Sequence, residues 1–213
     1  STKFIGGSLD AIKKIMDNFY LKGTLSYEVT NRNGNDIFKR EVRENLDFFK
    51  RTKKDENIRG MLGLHANLTL SDNDLRYIPE IITNDLPIHC HLAESSVDQD
   101  FVMSLNYKNV TERLNKFDLL RKNSLLIHGV ATERSEWELI RDKNSYLIHN
   151  PSSNLNNAVG ILDLLGAIGT GLTIGIGTDG MHNIPLKEYQ LAYYLTHIKN
   201  KLPSVGWVEA FDT

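Results

Sequence analysis

The sequence predicts an α/β fold, an incomplete (β/α)8 barrel of the TIM type covering about strands three to eight. Three observations predict it. Short apolar runs of strand length alternate with longer stretches of helical period, the pattern of a mainly parallel sheet with right-handed crossovers. Four of the six runs end at, or just before, an ionisable residue: His65, His91 with Glu94, His128 and Asp179. Barrels build sites from the C-terminal ends of several strands, whereas an open doubly wound sheet gathers ligands at one switch point. Finally, six runs are two short of the eight that close a barrel, and no strand precedes the first helix, so the chain reads as truncated.

The elements follow in order. A helical pattern over 9–21 takes Ser8 as its N-cap. The first strand covers 23–30. Residues 38–54 place Val42, Leu46 and Phe49 at helical spacing and lead to a strand over 59–65. Ser71 and Asp74 form a capping box at the head of a helix over 74–83. The strand over 86–91 turns His89 and His91 to one face and Cys90 to the other, because side chains alternate along a strand. Helices over 110–121, 133–143, 162–168 and 186–199 then alternate with strands over 124–130, 145–149 and 172–177. Residues 1–213 read as a single domain, a partial catalytic barrel.

Composition narrows the function. A net charge of −2, with hydrophobic residues at 40% and charged residues at 24%, is ordinary for a soluble globular chain. It gives no reason to expect nucleic acid or an anionic membrane as partner. The densest basic run, residues 50–54, is followed at once by Asp55 and Glu56 and reads as a solvated helix end. Cys90 is the sole cysteine, which excludes an intrachain disulfide and fits a reducing compartment. No segment has the length of a membrane span or the layout of a signal peptide. The expectation is a cytoplasmic protein acting on a small molecule.

The chemistry-bearing residues sit at the strand ends. His91, with Glu94 three residues on, can bring an imidazole and a carboxylate to one pocket. Such a pair suits a zinc or iron ion and a proton-shuttling carboxylate. His89, deeper in the strand, reads first as a hydrogen-bonded interior residue. His128 ends the apolar run Leu125-Leu126-Ile127, and His149 ends Leu147-Ile148 before the polar stretch Asn150-Pro151-Ser152-Ser153-Asn154. Of the two, His149 is expected to fix its loop. Gly175, Gly177 and Gly180 match the dinucleotide fingerprint G-x-G-x-x-G, but they lie in the last strand rather than opening the first βαβ unit, so that reading is rejected. Asp179 is the informative residue there, a carboxylate among glycines that allow close approach of a ligand.

Pro-Ile-His-Cys-His-Leu-Ala-Glu (87–94), Ile-His-Gly (127–129), His-Asn-Pro-Ser-Ser-Asn-Leu (149–155) and Gly-Thr-Asp-Gly (177–180), in this order, resemble the amidohydrolase superfamily. Within it they look like the cytosine/guanine deaminase and triazine chlorohydrolase branch. Leu25-Ser26-Tyr27-Glu28-Val29-Thr30-Asn31-Arg32 and the stretch 63–71 resemble the SsnA-type aminohydrolases of that branch. The resemblance implies one divalent metal, zinc or iron, with His91 and Asp179 as ligands. It implies Glu94, His128 and Asp179 as catalytic groups, and His65, Glu28 and Asn154 as substrate-binding residues. It implies hydrolysis of a C–N or C–Cl bond in a small heterocyclic or amidine-like substrate. The alternative is a non-catalytic barrel of the same descent with a binding or structural role.

The family's first-strand His-x-His pair has no counterpart upstream of His65. The expectation is therefore a chain with half of a metal site, binding metal weakly or not at all and inactive alone. Its open strand edges, near 25–30 and 172–177, are expected to favour self-association.

Overall fold

The computed structural model describes residues 2–3 and 5–211. Six parallel strand tracks lie side by side in chain order, without the reversal of order that marks a doubly wound sheet. The first two tracks are each broken. β1 (Gly23–Leu25) and β2 (Glu28–Val29) make up the first, and β3 (Ile58–Gly60) and β4 (Leu62–Leu64) the second. β1 pairs with β3 and β2 with β4. β5 (Ile88–Leu92), β6 (Leu125–His128), β7 (Tyr146–His149) and β8 (Ile174–Ile176) complete the sheet. This is a partial barrel.

The break has a physical cause in α2 (Asn35–Thr52). Asn45 of α2 is buried on the same stripe as Val42, Leu46 and Phe49. Its Oδ1 accepts from Tyr27 N at 2.8 Å and Gly63 N at 3.3 Å, while its Nδ2 donates to Tyr27 O at 2.8 Å. One carboxamide thus replaces ladder bonds where the strands part. Gly63 is required beside it, because a Cβ there would lie 2.5 Å from Tyr27 O.

Register divides the side chains cleanly. Val29, Leu64, Cys90, Leu126, Leu147 and Ile174 fall in one row across the sheet and are all buried in the main hydrophobic cluster, under the helices. The alternate positions, including Glu28, His89, His91, Ile127 and Ile148, face the other way, into the barrel interior. Cys90 is therefore on the helix side, 1% exposed, as its alternation with His89 and His91 requires.

Helices cover the outer face: α1 (Ser8–Asn18), α2, α3 (Asp72–Ile81), α4 (Ser96–Ser104), α5 (Val110–Lys116), α6 (Arg134–Asp142), α7 (Pro151–Asn156), α8 (Leu164–Ile168), α9 (Pro185–Asn200) and α10 (Trp207–Phe211). The capping box of α3 forms as expected, with Ser71 Oγ accepting from Asp74 N and Asp74 accepting from Ser71 N. Several expectations are corrected. Gly7, in the left-handed region, caps α1, and Ser8 is its first helical residue, with its hydroxyl on Thr2 Oγ1 at 2.8 Å. α5 ends at Lys116 because Asp118, at φ 54, turns the chain out of the helix. α4 has little signal in the sequence, since it carries only a weak apolar stripe and buries just Asp98 and Val102. The polar stretch after His149 is a helix, with Pro151 at its first turn where a missing N–H is harmless. No helix among the described residues is long and apolar enough to cross a membrane.

Candidate active site

A cavity of about 380 Å³ opens at the C-terminal ends of the strands. His89 and His91 of β5, Ile127 of β6, Ile148 and Asn150 from the β7 track, and Gly177 and Asp179 beyond β8 line it. His89, His91, Ile127 and Ile148 are the inward half of the strand alternation. The glycine just beyond β8 keeps it open: a Cβ on Gly177 would lie 2.9 Å from Ile148 Cγ2 and from Asn150 Nδ2. Another cavity, lined by Phe49, Arg59, Met61 and Pro87, lies toward the opposite ends of the strands and gathers no comparable set of groups.

The pleat alone would not bring His128 here. Its ladder partner is Leu92, which is buried on the helix side. His128 instead leaves β6 at φ 78, a left-handed turn that swings the ring toward the mouth, with its centroid 5.4 Å from that of His91. Nδ1 of His128 meets Asn154 Oδ1 at 2.9 Å, and Nε2 stands 3.7 Å from Glu94 Oε2. As placed, Asn154 accepts the Nδ1 proton and leaves Nε2 to exchange one with Glu94 or a ligand. Asn154 is buried on α7, turned onto His128.

Glu94 follows another left-handed residue, Ala93 at φ 43, and receives a hydrogen bond from Asn157 Nδ2 at 2.9 Å. Its backbone N–H donates to Asp98 Oδ2 at 3.3 Å. Burial raises the Asp98 carboxyl to about 6, against that hydrogen bond. Asp179, at φ 49, accepts from Ser153 Oγ and from Gly180 N, both at 2.7 Å. These bonds and the facing His128 and His91 outweigh desolvation, so its carboxyl lies below the ordinary value. With its amide turned to satisfy both neighbours, Asn150 donates to Ile148 O and accepts from Asp179 N at 3.3 Å.

On the other side of His91 lies a second group. The His65 ring meets His91 edge-on, with centroids 5.2 Å apart. Donor atoms of Glu28, His65 and His91 all lie within 4.8 Å of one another. Lys3 Nζ is 3.0 Å from Glu28 Oε1, and Arg32 Nη2 is 3.3 Å from His65 Nε2. Desolvation chiefly lowers His65, to about 4, and also lowers His91, so both rings are neutral at pH 7. Desolvation acts to raise Glu28, yet its bond to Lys3 and the nearby imidazoles bring its carboxyl below the ordinary value.

The expected residues thus fall into two clusters that meet at His91: Glu94, His128, Asn154 and Asp179 on one side, and Glu28 and His65 on the other. His89 lines the cavity, and burial lowers it to about 4. His149 follows the pleat to the helix side, 2% exposed, and burial lowers it to about 3. Lys3, Arg32, Ser153 and Asn157 also touch site residues. Only the density of hydrogen-bonding side chains at 150–157 hints at the last two.

A parallel α/β partial barrel that delivers imidazoles and carboxylates to one mouth defines the class. The chain belongs to the amidohydrolase family, whose model matches residues 4–210. A 5'-deoxyadenosine deaminase of Methanococcus maripaludis is 29% identical over 219 residues, spanning 96% of this chain and 50% of the relative. Among solved structures, guanine deaminase from C. acetobutylicum, with guanine bound in its active site, superposes with a TM-score of 0.82 at 18% identity, covering 99% of this chain and 52% of that one. Triazine hydrolase from Arthobacter aurescens gives a TM-score of 0.79 at 16% identity, covering 96% and 52%. The chain spans about half the length of the curated relatives it matches.

Proposed function

We propose that this chain supplies the later strands of a metal-dependent aminohydrolase that removes ammonia from an aminated heterocycle, with an adenosine derivative favoured as substrate. One observation carries the reading: His91 and Asp179 line one cavity, and His128, paired with Glu94, stands beside His91, the four groups coming from the ends of β5 and β6 and from the segment beyond β8. Three of the turns that aim them, at Ala93, His128 and Asp179, adopt the left-handed region at non-glycine residues. Such strain persists where the surrounding structure imposes it, commonly at functional sites. The deaminase relatives favour C–N over C–Cl cleavage.

His91 and Asp179 fit one divalent ion as an imidazole nitrogen and a carboxylate oxygen lining the same cavity. When bound, such an ion lowers the pKa of a water toward ~7 and polarises the attacked carbon's environment. Asp179, held by Ser153 and Gly180, accepts the proton lost by the attacking water. Glu94 delivers a proton to the ring nitrogen beside the attacked carbon and recovers one from the added hydroxyl, while the proton held by Asp179 passes to the leaving amine. His128, its Nδ1 proton held by Asn154, presents the Nε2 lone pair as an acceptor that orients the attacking water. Asn154 thus acts through His128 and is a positioning residue.

The test is ammonia release from 5'-deoxyadenosine and a panel of other aminated heterocycles by a zinc-loaded, full-length polypeptide carrying this chain. Glu94→Gln should keep the metal and lose ~10²–10⁴-fold in turnover, whereas His91→Ala should lose metal as well. Turnover by Glu94→Gln near the unsubstituted rate, or no hydrolysis across the panel, refutes the reading.

A further inference from the structure

Going beyond the hydrolase reading, we infer that Glu28, His65 and His91 form a second divalent-cation site of the two-histidine, one-glutamate type, which excludes the pairing of His91 with Asp179. The geometry is close to what zinc requires. Three atoms within 4.8 Å of one another share a point no more than about 2.8 Å from each. Zinc bonds of ~2.0–2.1 Å are then reached by side-chain shifts of under ~1 Å.

The hydrogen bonds set His65 up as a ligand. Thr69 Oγ1 donates to Ala66 O at 2.8 Å, so its proton is committed and it accepts from His65 Nδ1 at 3.1 Å. That fixes the proton on Nδ1 and the lone pair on Nε2, the orientation that a ring-bound hydroxyl or carbonyl gives to metal-binding histidines. Arg32 Nη2 now donates to that lone pair at 3.3 Å, and Lys3 Nζ lies 3.0 Å from Glu28 Oε1. Two cationic side chains therefore already address the donor atoms that a metal ion would use. The cluster attracts positive charge, and a divalent ion must displace or push aside these two groups to bind.

Exclusivity follows from the chemistry of imidazole. A neutral ring carries one lone pair, so His91 serves one cation at a time. Between Glu28 and His65 the ion finds three protein donors within 4.8 Å of one another, whereas among the described residues no such group of three includes Asp179. A divalent ion added to this chain goes to the three-donor side, where it also covers the wall proposed to receive substrate.

Zinc titration of the purified 213-residue chain by calorimetry, backed by the visible spectrum of the cobalt-loaded form, tests this. Expected is one ion per chain, with affinity reduced about 100-fold by Glu28→Gln or His65→Ala and changed less than about threefold by Asp179→Asn. Lys3→Met and Arg32→Met should each tighten binding, an effect that general damage to the fold would not produce. Thermal melts without zinc separate misfolding of a variant from loss of a ligand, and the isosteric Glu28→Gln carries the result if His65→Ala does not fold. Loss of binding in Asp179→Asn with retention in Glu28→Gln overturns the inference while supporting the hydrolase site. Absence of zinc binding at millimolar concentration overturns it as well, and leaves the turnover test of the hydrolase reading intact.

Discussion

Asn45→Ala is the substitution whose cost can be worked most directly from the structure. Asn45 is fully buried, and its carboxamide joins α2 to both broken strand tracks, at Tyr27 and Gly63. Truncation removes partners from Tyr27 N and Tyr27 O, each bonded at 2.8 Å, and a weaker one from Gly63 N at 3.3 Å. The fourth contact, to Glu41 O at 3.0 Å, matters least, since that carbonyl sits inside α2 and bonds along the helix. A buried backbone group deprived of its partner costs ~1–3 kcal/mol, so losing the Tyr27 pair costs ~4 kcal/mol. Against a typical total of ~5–15 kcal/mol, that is a large share. With a urea slope of ~2 kcal/mol per molar, the unfolding midpoint should fall by ~2 M. Fluorescence of the buried Trp137 reports the transition. Gly63→Ala is the companion variant. Its Cβ would meet Tyr27 O at 2.5 Å and Tyr27 C at 2.9 Å, both backbone atoms, so the strands must part at the same point. If Asn45→Ala stays within ~1 kcal/mol of the unsubstituted chain, the carboxamide does not replace the ladder and the argument fails.

Two further outcomes follow from burial. Cys90 is 1% exposed, burial pushes its thiol up, and its Sγ lies on His65 O and His91 O, so a thiol reagent should label it only as fast as the chain opens. Native labelling at the rate of the urea-unfolded chain would contradict that placement. Acid should destabilise the fold between pH 6.5 and 4. Burial holds His65 and His89 at about 4 and His149 at about 3, while in the unfolded chain they bind protons near ~6.5. A depressed histidine pKa gives stability that is complete above the unfolded value and is lost as pH falls toward the folded one. Asp98, raised to about 6, works the other way over ~4–6, because the folded state there binds the extra proton. Glu41 and Glu136, also raised by burial, act in the same direction as Asp98, but the larger depressions of the three histidines outweigh these carboxyls, so the urea midpoint should drop from pH 7 to pH 5. A midpoint that holds or rises contradicts the balance.

What the sequence made legible followed from periodicity. Strand alternation put His91 inward and Cys90 outward, and the ends of the apolar runs located the mouth. Asn45 carries a legible signal as well. It stands three residues after Val42 and four before Phe49, a polar residue on the stripe that α2 buries, and such a residue needs a partner in the core. The strand breaks at Ser26-Tyr27 and Met61 were not legible, because neither a single serine nor an apolar methionine marks the end of a strand and only the tertiary position of Asn45 interrupts the ladder. Nor was the group of Glu28 with His65 and His91 visible, since it depends on the register of β2 against β4 and of β4 against β5.

The two matching runs that end in histidine show how little sequence separates opposite outcomes. Leu126-Ile127-His128 is followed by glycine, and Leu147-Ile148-His149 by Asn150-Pro151. In both, the pleat assigns the histidine to the helix side, since Ile127 and Ile148 pair in register and face the cavity. Proline biases the residue before it toward extended backbone, and Asn150 sits at φ −122 and ψ 72. The chain therefore runs straight on, and His149 stays beneath the helices with Nδ1 lacking a hydrogen-bond partner among the described residues. Gly129, at φ 65, lets a second left-handed residue follow His128 at φ 78. Any other residue there would be strained at this φ and would have to push Leu147 aside, because a Cβ on Gly129 would lie 2.6 Å from Leu147 Cδ1. The reversal at these two residues carries the His128 ring around the strand end to Glu94 and His91. The residue after each histidine, rather than the histidine or its strand, separates a core side chain from one placed to move a proton.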